Sequence, residues 1–224
     1  MFIKICGITT EEDGLLAVAL GANAVGFVFS PSKRQVNVAT ARDIARRLPP
    51  ETLTVAVFRN ESAQRAVDIT HEAGLKATQL SGHETAEESM HVARHVPMMI
   101  KGLSPGAQGL ERLDDYGAHA VLLDSPAPGS GEVFDWALTE GVPSNTRIIL
   151  AGGLTPDNVA DGIRTVRPWG VDVSSGVEKS PGRKDATKMR LFIENARAAG
   201  REVEKRPGHD VDADGNFPYN WMEE

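Results

Sequence analysis

The sequence predicts an α/β fold, a single-domain (β/α)8 TIM barrel, from three observations. Short apolar, β-branched runs alternate with helical stretches, eight such β-then-α units follow one another, and the chain has 224 residues. Each crossover must return the chain to start a parallel neighbour, so the alternation predicts a parallel sheet. Eight units over roughly 200 residues or more favour closure into a barrel, and a doubly wound open sheet is the alternative.

The candidate strands are short runs rich in apolar and β-branched residues. They are Phe2–Cys6, Ala24–Phe29, Leu53–Phe58, Ala77–Leu80, Pro97–Lys101, Ala118–Leu123, Arg147–Ala151 and Gly170–Val173. The segments between them repeat apolar residues at about 3.6 positions, which is typical of amphipathic helices. These candidate helices are Glu12–Leu20, Thr40–Leu48, Glu61–Ala73, Thr85–His95, Leu110–Tyr116, Phe134–Glu140, Pro156–Val166 and Asp185–Ala198.

No linker divides the body of the chain, so residues 1–200 are predicted to form the barrel. Residues 201–224 differ in composition, because they are polar and rich in Pro and Gly before an aromatic cluster at Phe217, Tyr219 and Trp221. We interpret them as a C-terminal extension that is either docked onto the barrel through these aromatic residues or disordered.

The composition excludes several classes of protein. The net charge of −7 argues against a nucleic-acid partner, although local anion binding by glycine loops and helix N-termini remains compatible with a phosphorylated ligand. The single cysteine excludes an intrachain disulfide and favours a reducing compartment. No apolar run reaches the roughly 18 residues of a membrane span, and the N-terminus does not read as a secretory signal. We therefore expect a cytoplasmic protein without a membrane partner.

Three candidate side chains follow strands, at the end of a parallel barrel where active sites lie. Cys6 ends the first strand beside Gly7, where backbone N–H dipoles favour a thiolate, and the alternative is an inert buried thiol. Asp124 ends an apolar strand, where a raised pKa would let it act as an acid, and the alternative is a turn-forming loop aspartate. Arg34 offers a planar fork for a carboxylate, and the alternative is a solvated loop arginine.

Two loops predict a phosphate site. Gly152 and Gly153 follow the seventh strand and precede Thr155, a suitable helix N-cap, and the run Ser174-Ser175-Gly176 follows the eighth strand. These two loops usually hold phosphate in this fold, and the alternative is that the glycines only turn the chain.

Two further patterns resemble metal sites without completing them. His91 and His95 have a zinc-like spacing on a charged helix but no evident third ligand. The run from Asp210 to Asn216 begins like a calcium loop, but its twelfth position is Trp221 where a glutamate is needed. We expect no metal.

Six motifs occur in an order that resembles the phosphoribosylanthranilate isomerase family, (β/α)8 enzymes of tryptophan biosynthesis. The resemblance covers about residues 2–198. The motifs are Lys4-Ile5-Cys6-Gly7-Ile8-Thr9; Gly26-Phe27-Val28-Phe29 with Ser32-Lys33-Arg34; Leu122-Leu123-Asp124-Ser125; Gly129-Ser130-Gly131 with Phe134-Asp135-Trp136; Ala151-Gly152-Gly153-Leu154 with Pro156 and Asn158-Val159; and residues 171–178 with Pro181-Gly182-Arg183-Lys184-Asp185.

The resemblance implies a role for each site residue in an Amadori rearrangement of N-(5-phosphoribosyl)anthranilate. Cys6 would be the general base, Asp124 the general acid and Arg34 the ligand of the anthranilate carboxylate. Asp172 would lie near the substrate. The phosphate would be held by Gly131, Gly152, Gly153, Ser174, Ser175 and Gly176. These roles call for a raised carboxyl pKa and a lowered thiol pKa.

The resemblance also implies no cofactor and a small phosphorylated substrate, with a monomer or homodimer as the assembly. The chain departs from the family pattern at Gln79-Leu80-Ser81-Gly82, where Ser81 replaces the usual histidine. Two alternatives stay open. One is a bifunctional aminoaldose isomerase of the histidine and tryptophan pathways, which usually has aspartate at the position of Cys6. The other is a non-catalytic barrel that binds phosphate sugars.

Overall fold

The computed structural model describes residues 1–104, 110–124 and 146–203, and its eight parallel strands form a closed barrel in chain order. The strands are Phe2–Cys6 (β1), Ala24–Val28 (β2), Leu53–Phe58 (β3), Ala77–Leu80 (β4), Met99–Leu103 (β5), Ala120–Leu123 (β6), Ile148–Leu150 (β7) and Gly170–Val173 (β8). The last strand pairs with the first, with Lys4 opposite Asp172. The predicted fold is therefore confirmed.

The fifth strand begins two residues later than predicted. Pro97 has no N–H group to donate to the ladder, and the pairing with β4 begins where Thr78 lies opposite Met99. The predicted starts of the sixth and seventh strands are also early, at Ala118 and Arg147.

Six α-helices cover the outside of the barrel within the described ranges. They are Glu11–Ala19 (α1), Val38–Ala45 (α2), Ala63–Glu72 (α3), Ala86–Ala93 (α4), Val159–Val166 (α5) and Ala186–Glu202 (α6). Side chains of Thr10, Asn37 and Asp185 accept hydrogen bonds from backbone N–H groups in the first turns of their helices, and Thr85 forms a capping box with Glu88.

Two helix predictions need correction. Leu110–Tyr116 forms a 3-10 helix, which suits a short segment and is followed by Gly117 at a positive φ of 64°. The helix expected from Pro156 begins at Val159, with Asn158 rather than Thr155 as its N-cap, because Asn158 Oδ1 accepts the N–H of Thr155 and holds a preceding turn. The predicted helix Phe134–Glu140 lies outside the described residues.

The strands bury both of their faces, and alternate side chains form two apolar layers. In β1, Ile3 and Ile5 pack outward against the helices, whereas Phe2 and Cys6 pack inside the barrel. The ring of Phe2 stacks on Trp169 at 4.5 Å between ring centroids, before the start of β8. This packing fills the amino-terminal half of the barrel and leaves the polar side chains at the carboxyl ends of the strands.

The segment after β8 has structure that the sequence patterns did not predict. A 3-10 turn at Ser175–Val177 leads into an antiparallel hairpin of Glu178–Ser180 (β9) and Arg183–Lys184 (β10). Helix α6 then continues to Glu202, so the first residues of the predicted extension belong to this helix. Residues 204–224, including the aromatic cluster, lie outside the described residues. No helix in the described ranges combines the length and apolarity that a membrane crossing requires.

Candidate active site

Cys6 and Asp124 lie on the same rim of the barrel. Cys6 is the last residue of β1 and Asp124 directly follows β6, and all strands of the barrel run parallel. Ala120 and Leu122 belong to the interior layer, so the alternation of β6 places Asp124 on the inner face as well. Asp124 is half-buried, and its backbone N–H donates to the carbonyl of Leu103 at 3.1 Å. The closed sheet thus brings together two residues that are far apart in the chain.

The thiol of Cys6 is buried beside a buried lysine. A Cβ atom at Gly26 would lie 2.9 Å from Cys6 Sγ and 3.3 Å from Lys4 Cε, so both side chains occupy the space above this glycine. Burial raises the pKa of the Cys6 thiol above its ordinary value, and the nearby Lys4 ammonium offsets this effect only in part. The expected lowering of the thiol pKa is therefore wrong, because desolvation outweighs the local positive charge.

Asp172 lies at the site, but its partner is Lys4. The Nζ atom of Lys4 donates to Asp172 Oδ1 at 2.9 Å, and the side chains are 0% and 9% exposed, respectively. The two residues are cross-strand neighbours on β1 and β8. This pairing gives Asp172 a function in holding the lysine, and its place near the substrate, which the resemblance implies, stays a prediction.

Arg34 is held at the site by a carboxylate. Its Nε and Nη2 atoms donate to the two oxygens of Glu178 at 2.7 and 2.9 Å, a bidentate pair. Among the described residues, Nη1 of Arg34 has no hydrogen-bond partner. Gly7 has a positive φ of 75°, and a Cβ there would lie 2.6 Å from Arg34 Cδ and 3.0 Å from Ser174 Oγ. Glycine therefore lets Arg34 and Ser174 approach the end of β1.

Lys184 connects this arginine to the thiol strand and to the loop after β8. Its Nζ atom donates to the carbonyl of Cys6 at 2.6 Å, to the carbonyl of Ser174 at 3.0 Å and to Glu178 at 3.2 Å. Burial lowers the pKa of Lys184 below its ordinary value, against the attraction of Glu178. This lysine therefore fixes the positions of Cys6, Ser174 and, through Glu178, Arg34.

The loops after β7 and β8 pack directly against each other. A Cβ at Gly176 would overlap the carbonyl group of Leu154, with its carbon 2.9 Å away. Gly152 and Gly153 have positive φ values of 84° and 67°, which other residues rarely adopt. Within the described ranges, the N–H groups of Gly152 and Gly153 have no protein acceptor. The two loops therefore form one surface with free donors.

Other side chains complete this surface. Asn158 Nδ2 donates to the carbonyl of Gly153 at 3.0 Å and fixes the loop after β7. The hydroxyl of Ser174 is buried and has no hydrogen-bond partner among the described residues. An open cleft of about 490 Å³ lies alongside, lined in part by Arg34, Ser175 and Glu178. Gly131, which the resemblance also places at the phosphate site, lies outside the described residues.

Sequence reasoning missed Lys4, Glu178 and Lys184 as site residues, although all three stand in the family-like motifs. A signal was present for Lys4, because a lysine inside an apolar strand must be paired when it is buried.

At strand four, Ser81 packs on Gly102 and its Oγ accepts a hydrogen bond from Gln79 Nε2 at 2.9 Å. No cluster of metal-binding side chains occurs in the part of the chain that the structure describes.

Comparison with known proteins identifies the family of this chain. Residues 3–195 match the family model described as N-(5'phosphoribosyl)anthranilate (PRA) isomerase. A relative from Desulforudis audaxviator with the name N-(5'-phosphoribosyl)anthranilate isomerase is 44% identical over 201 residues, which are 88% of this chain and 98% of the relative.

Two solved structures show the same fold. The phosphoribosyl anthranilate isomerase of Thermus thermophilus has a TM-score of 0.82 and 38% identity over 88% of this chain and 99% of its own. A phosphoribosyl anthranilate isomerase in complex with reduced 1-(o-carboxyphenylamino)-1-deoxyribulose 5-phosphate has a TM-score of 0.78 and 40% identity, with the same coverage of both chains.

Proposed function

The chain belongs to the N-(5'-phosphoribosyl)anthranilate isomerase family and is an isomerase of tryptophan biosynthesis, and we propose that Cys6 is its general base and Asp124 its general acid. The reaction is the Amadori rearrangement of N-(5-phosphoribosyl)anthranilate to 1-(2-carboxyphenylamino)-1-deoxyribulose 5-phosphate. One observation carries the assignment: Cys6 and Asp124 end two strands of one closed parallel barrel, on the rim that also bears the loops after β7 and β8.

The two residues act in sequence on one substrate. Protonated Asp124 donates its proton to the ribose ring oxygen, and the ring opens to an iminium ion. The thiolate of Cys6 then removes the proton from C2′, and the resulting enolamine tautomerises to the ketone. General acid or base catalysis contributes roughly 10² to 10⁴ in rate for each group. Burial raises the pKa of the Cys6 thiol, and the mechanism needs the thiolate of Cys6 together with the protonated carboxyl of Asp124, so kcat/KM should fall at both low and high pH.

The remaining contacts orient the substrate. The Nη1 atom of Arg34 is available for the anthranilate carboxylate while Glu178 fixes the other side of the guanidinium. The N–H groups of Gly152 and Gly153, with the buried hydroxyl of Ser174, supply donors for the phosphate. Binding energy from the phosphate then holds the reacting carbon near Cys6. Ser175 and Gly176 belong to the same proposed phosphate site.

The assignment is tested by following the loss of the fluorescent anthranilate adduct in wild type, Cys6→Ser and Asp124→Asn. Each substitution should lower turnover by two or more orders of magnitude, while binding of a reduced product analogue is retained. Near-complete turnover in either variant would remove that residue from the mechanism. Wild type that binds the analogue without turnover would instead point to a non-catalytic binding barrel.

The bifunctional alternative is not favoured by the relatives, whose names give the single anthranilate activity. An assay with the histidine-pathway aminoaldose tests it directly. A cytoplasmic location, the absence of a cofactor and an assembly as monomer or homodimer stay predictions.

A further inference from the structure

Lys4 is a fully buried cation at the centre of β1. Its side chain lies on the inner face of the strand, between Phe2 and Cys6, and has no exposed surface. A buried ammonium is costly unless negative charges and hydrogen-bond acceptors surround it. The contacts of Lys4 therefore indicate why a cation is tolerated inside the barrel.

Asp172 provides the permanent negative charge. It is directly opposite Lys4 in the β1–β8 ladder, and the two charged atoms are 2.9 Å apart. Asp172 takes up one of the three N–H donors of the ammonium. The pair is formed by the closure of the barrel, so it is fixed by backbone pairing rather than by a mobile loop.

Cys6 provides the second contact. Lys4 and Cys6 are two residues apart on one face of the strand, and both lie over the unsubstituted face of Gly26. The positive charge of the Lys4 ammonium therefore acts on the thiol at short range. Any larger residue at position 26 would enter the space that these two groups share.

Four charged groups influence the thiol in the described structure: Lys4, Asp172, Lys184 and Arg34. Lys184 and Arg34 share the carboxylate of Glu178 and contact the strand end from the loops. Only Lys4 combines complete burial with a place on the inner face of the strand next to the sulfur. Asp172 opposes the ionisation of the thiol, whereas Lys4 favours it.

We propose that Lys4 is a positioning residue for the general base: its ammonium, held by Asp172, is the counter-ion of the Cys6 thiolate. This inference deepens the proposed function and rests on it for the catalytic role of Cys6. The ammonium stabilises the negative charge of the sulfur before proton abstraction.

The test uses the ultraviolet absorbance of the thiolate in the full-length protein as the pH is raised. Cys6 is the only cysteine, so the thiolate signal belongs to one residue, and Cys6→Ser gives the tyrosine baseline. Lys4→Met should move the titration midpoint to higher pH and lower the thiolate fraction at a fixed pH below the midpoint by roughly tenfold or more. Asp172→Asn removes the opposing charge and should move the midpoint to lower pH.

The opposite signs separate an electrostatic effect from damage to the fold. Lys101→Met is a matched control, because Lys101 forms an equally buried ion pair with Glu84 at 2.7 Å that does not involve Cys6. It should leave the thiol midpoint unchanged. If Lys4→Met does not fold, the double variant Lys4→Met/Asp172→Asn is compared with Asp172→Asn, and the double variant should titrate at the higher pH.

An unchanged midpoint in Lys4→Met, or shifts in the same direction for Lys4→Met and Asp172→Asn, would overturn the counter-ion inference. One limb of the pH profile of kcat/KM should move with the thiol midpoint in each variant. If the midpoints shift as expected but neither limb moves, the counter-ion inference stands and the assignment of Cys6 as the base is overturned.

Discussion

Replacing Gly176 by alanine perturbs the packing of the loop after β7 against the loop after β8. The new Cβ would overlap the carbonyl oxygen of Leu154, which is backbone and cannot rotate away as a side chain can. To restore an ordinary contact of 3.4 Å or more, the loops must separate by about 1.5 Å, and a displacement of about 1 Å can already lower rates about 10²-fold.

The expected result is a fall in kcat/KM of roughly 10- to 100-fold, dominated by a higher KM, because the loops carry the proposed phosphate donors. The overpacking should also lower the free energy of unfolding by about 1–3 kcal/mol. The assay is steady-state turnover of the anthranilate adduct, with calorimetric binding of a reduced product analogue prepared with and without its 5-phosphate. Only the phosphorylated analogue should lose affinity.

Gly14→Ala is the matched control. Gly14 lies in α1, where the nearest atoms to a new Cβ would be side-chain carbons at 3.3–3.6 Å. Alanine is the better helix former by about 1 kcal/mol, so this variant should be neutral or slightly stabilised and keep its KM. A folded Gly176→Ala protein with a wild-type KM would refute the idea that close loop packing builds the phosphate site.

Two further changes have a predicted effect on the free energy of unfolding or on kcat/KM. Burial raises the pKa of Glu178, but the hydrogen bonds from Arg34 and the charge of Lys184 outweigh this effect and hold the pKa below its ordinary value of 4.5. The ionised carboxylate therefore stabilises the folded protein above pH 4.5, and this contribution to the free energy of unfolding is lost as the pH falls through the lower pKa of the folded state. Glu178→Gln should therefore lower the free energy of unfolding at neutral pH by roughly 1–3 kcal/mol, and urea titrations should show this difference shrinking in acid; a constant difference at all pH values would contradict it. Deletion of residues 204–224 should leave kcat/KM within about twofold, because the family match ends at residue 195 and α6 ends at Glu202; a tenfold loss would show that the extension contributes to the site.

Much of the barrel could be predicted because its signals are local. The strand of residues 53–58 and the glycines after β7 are recognisable from neighbouring residues alone. Helix ends were less accurate. The start of α5 depends on Asn158, whose side chain holds both Thr155 and Gly153, and a single N-cap pattern at Thr155 does not contain this information.

The electrostatics of the site could not be predicted, because they arise between distant segments. Lys4 and Asp172 are separated by 168 positions, and Arg34 and Glu178 by 144. A position at a strand end suggested that dipoles would lower the pKa of the Cys6 thiol. The closed barrel buries the thiol instead, and desolvation reverses the expected sign.

The amino-acid sequence by itself determined the order of strands and helices, the family motifs, and the presence of a thiol and a carboxyl at the ends of β1 and β6. Each of these depends on residue type and short-range periodicity. Only the tertiary structure decided which charges meet, because closing β8 onto β1 places Asp172 beside Lys4 and brings the hairpin carrying Glu178 and Lys184 over the end of β1. The free energy of a buried charge depends on its distance from other charges and from water, and only the folded chain fixes those distances.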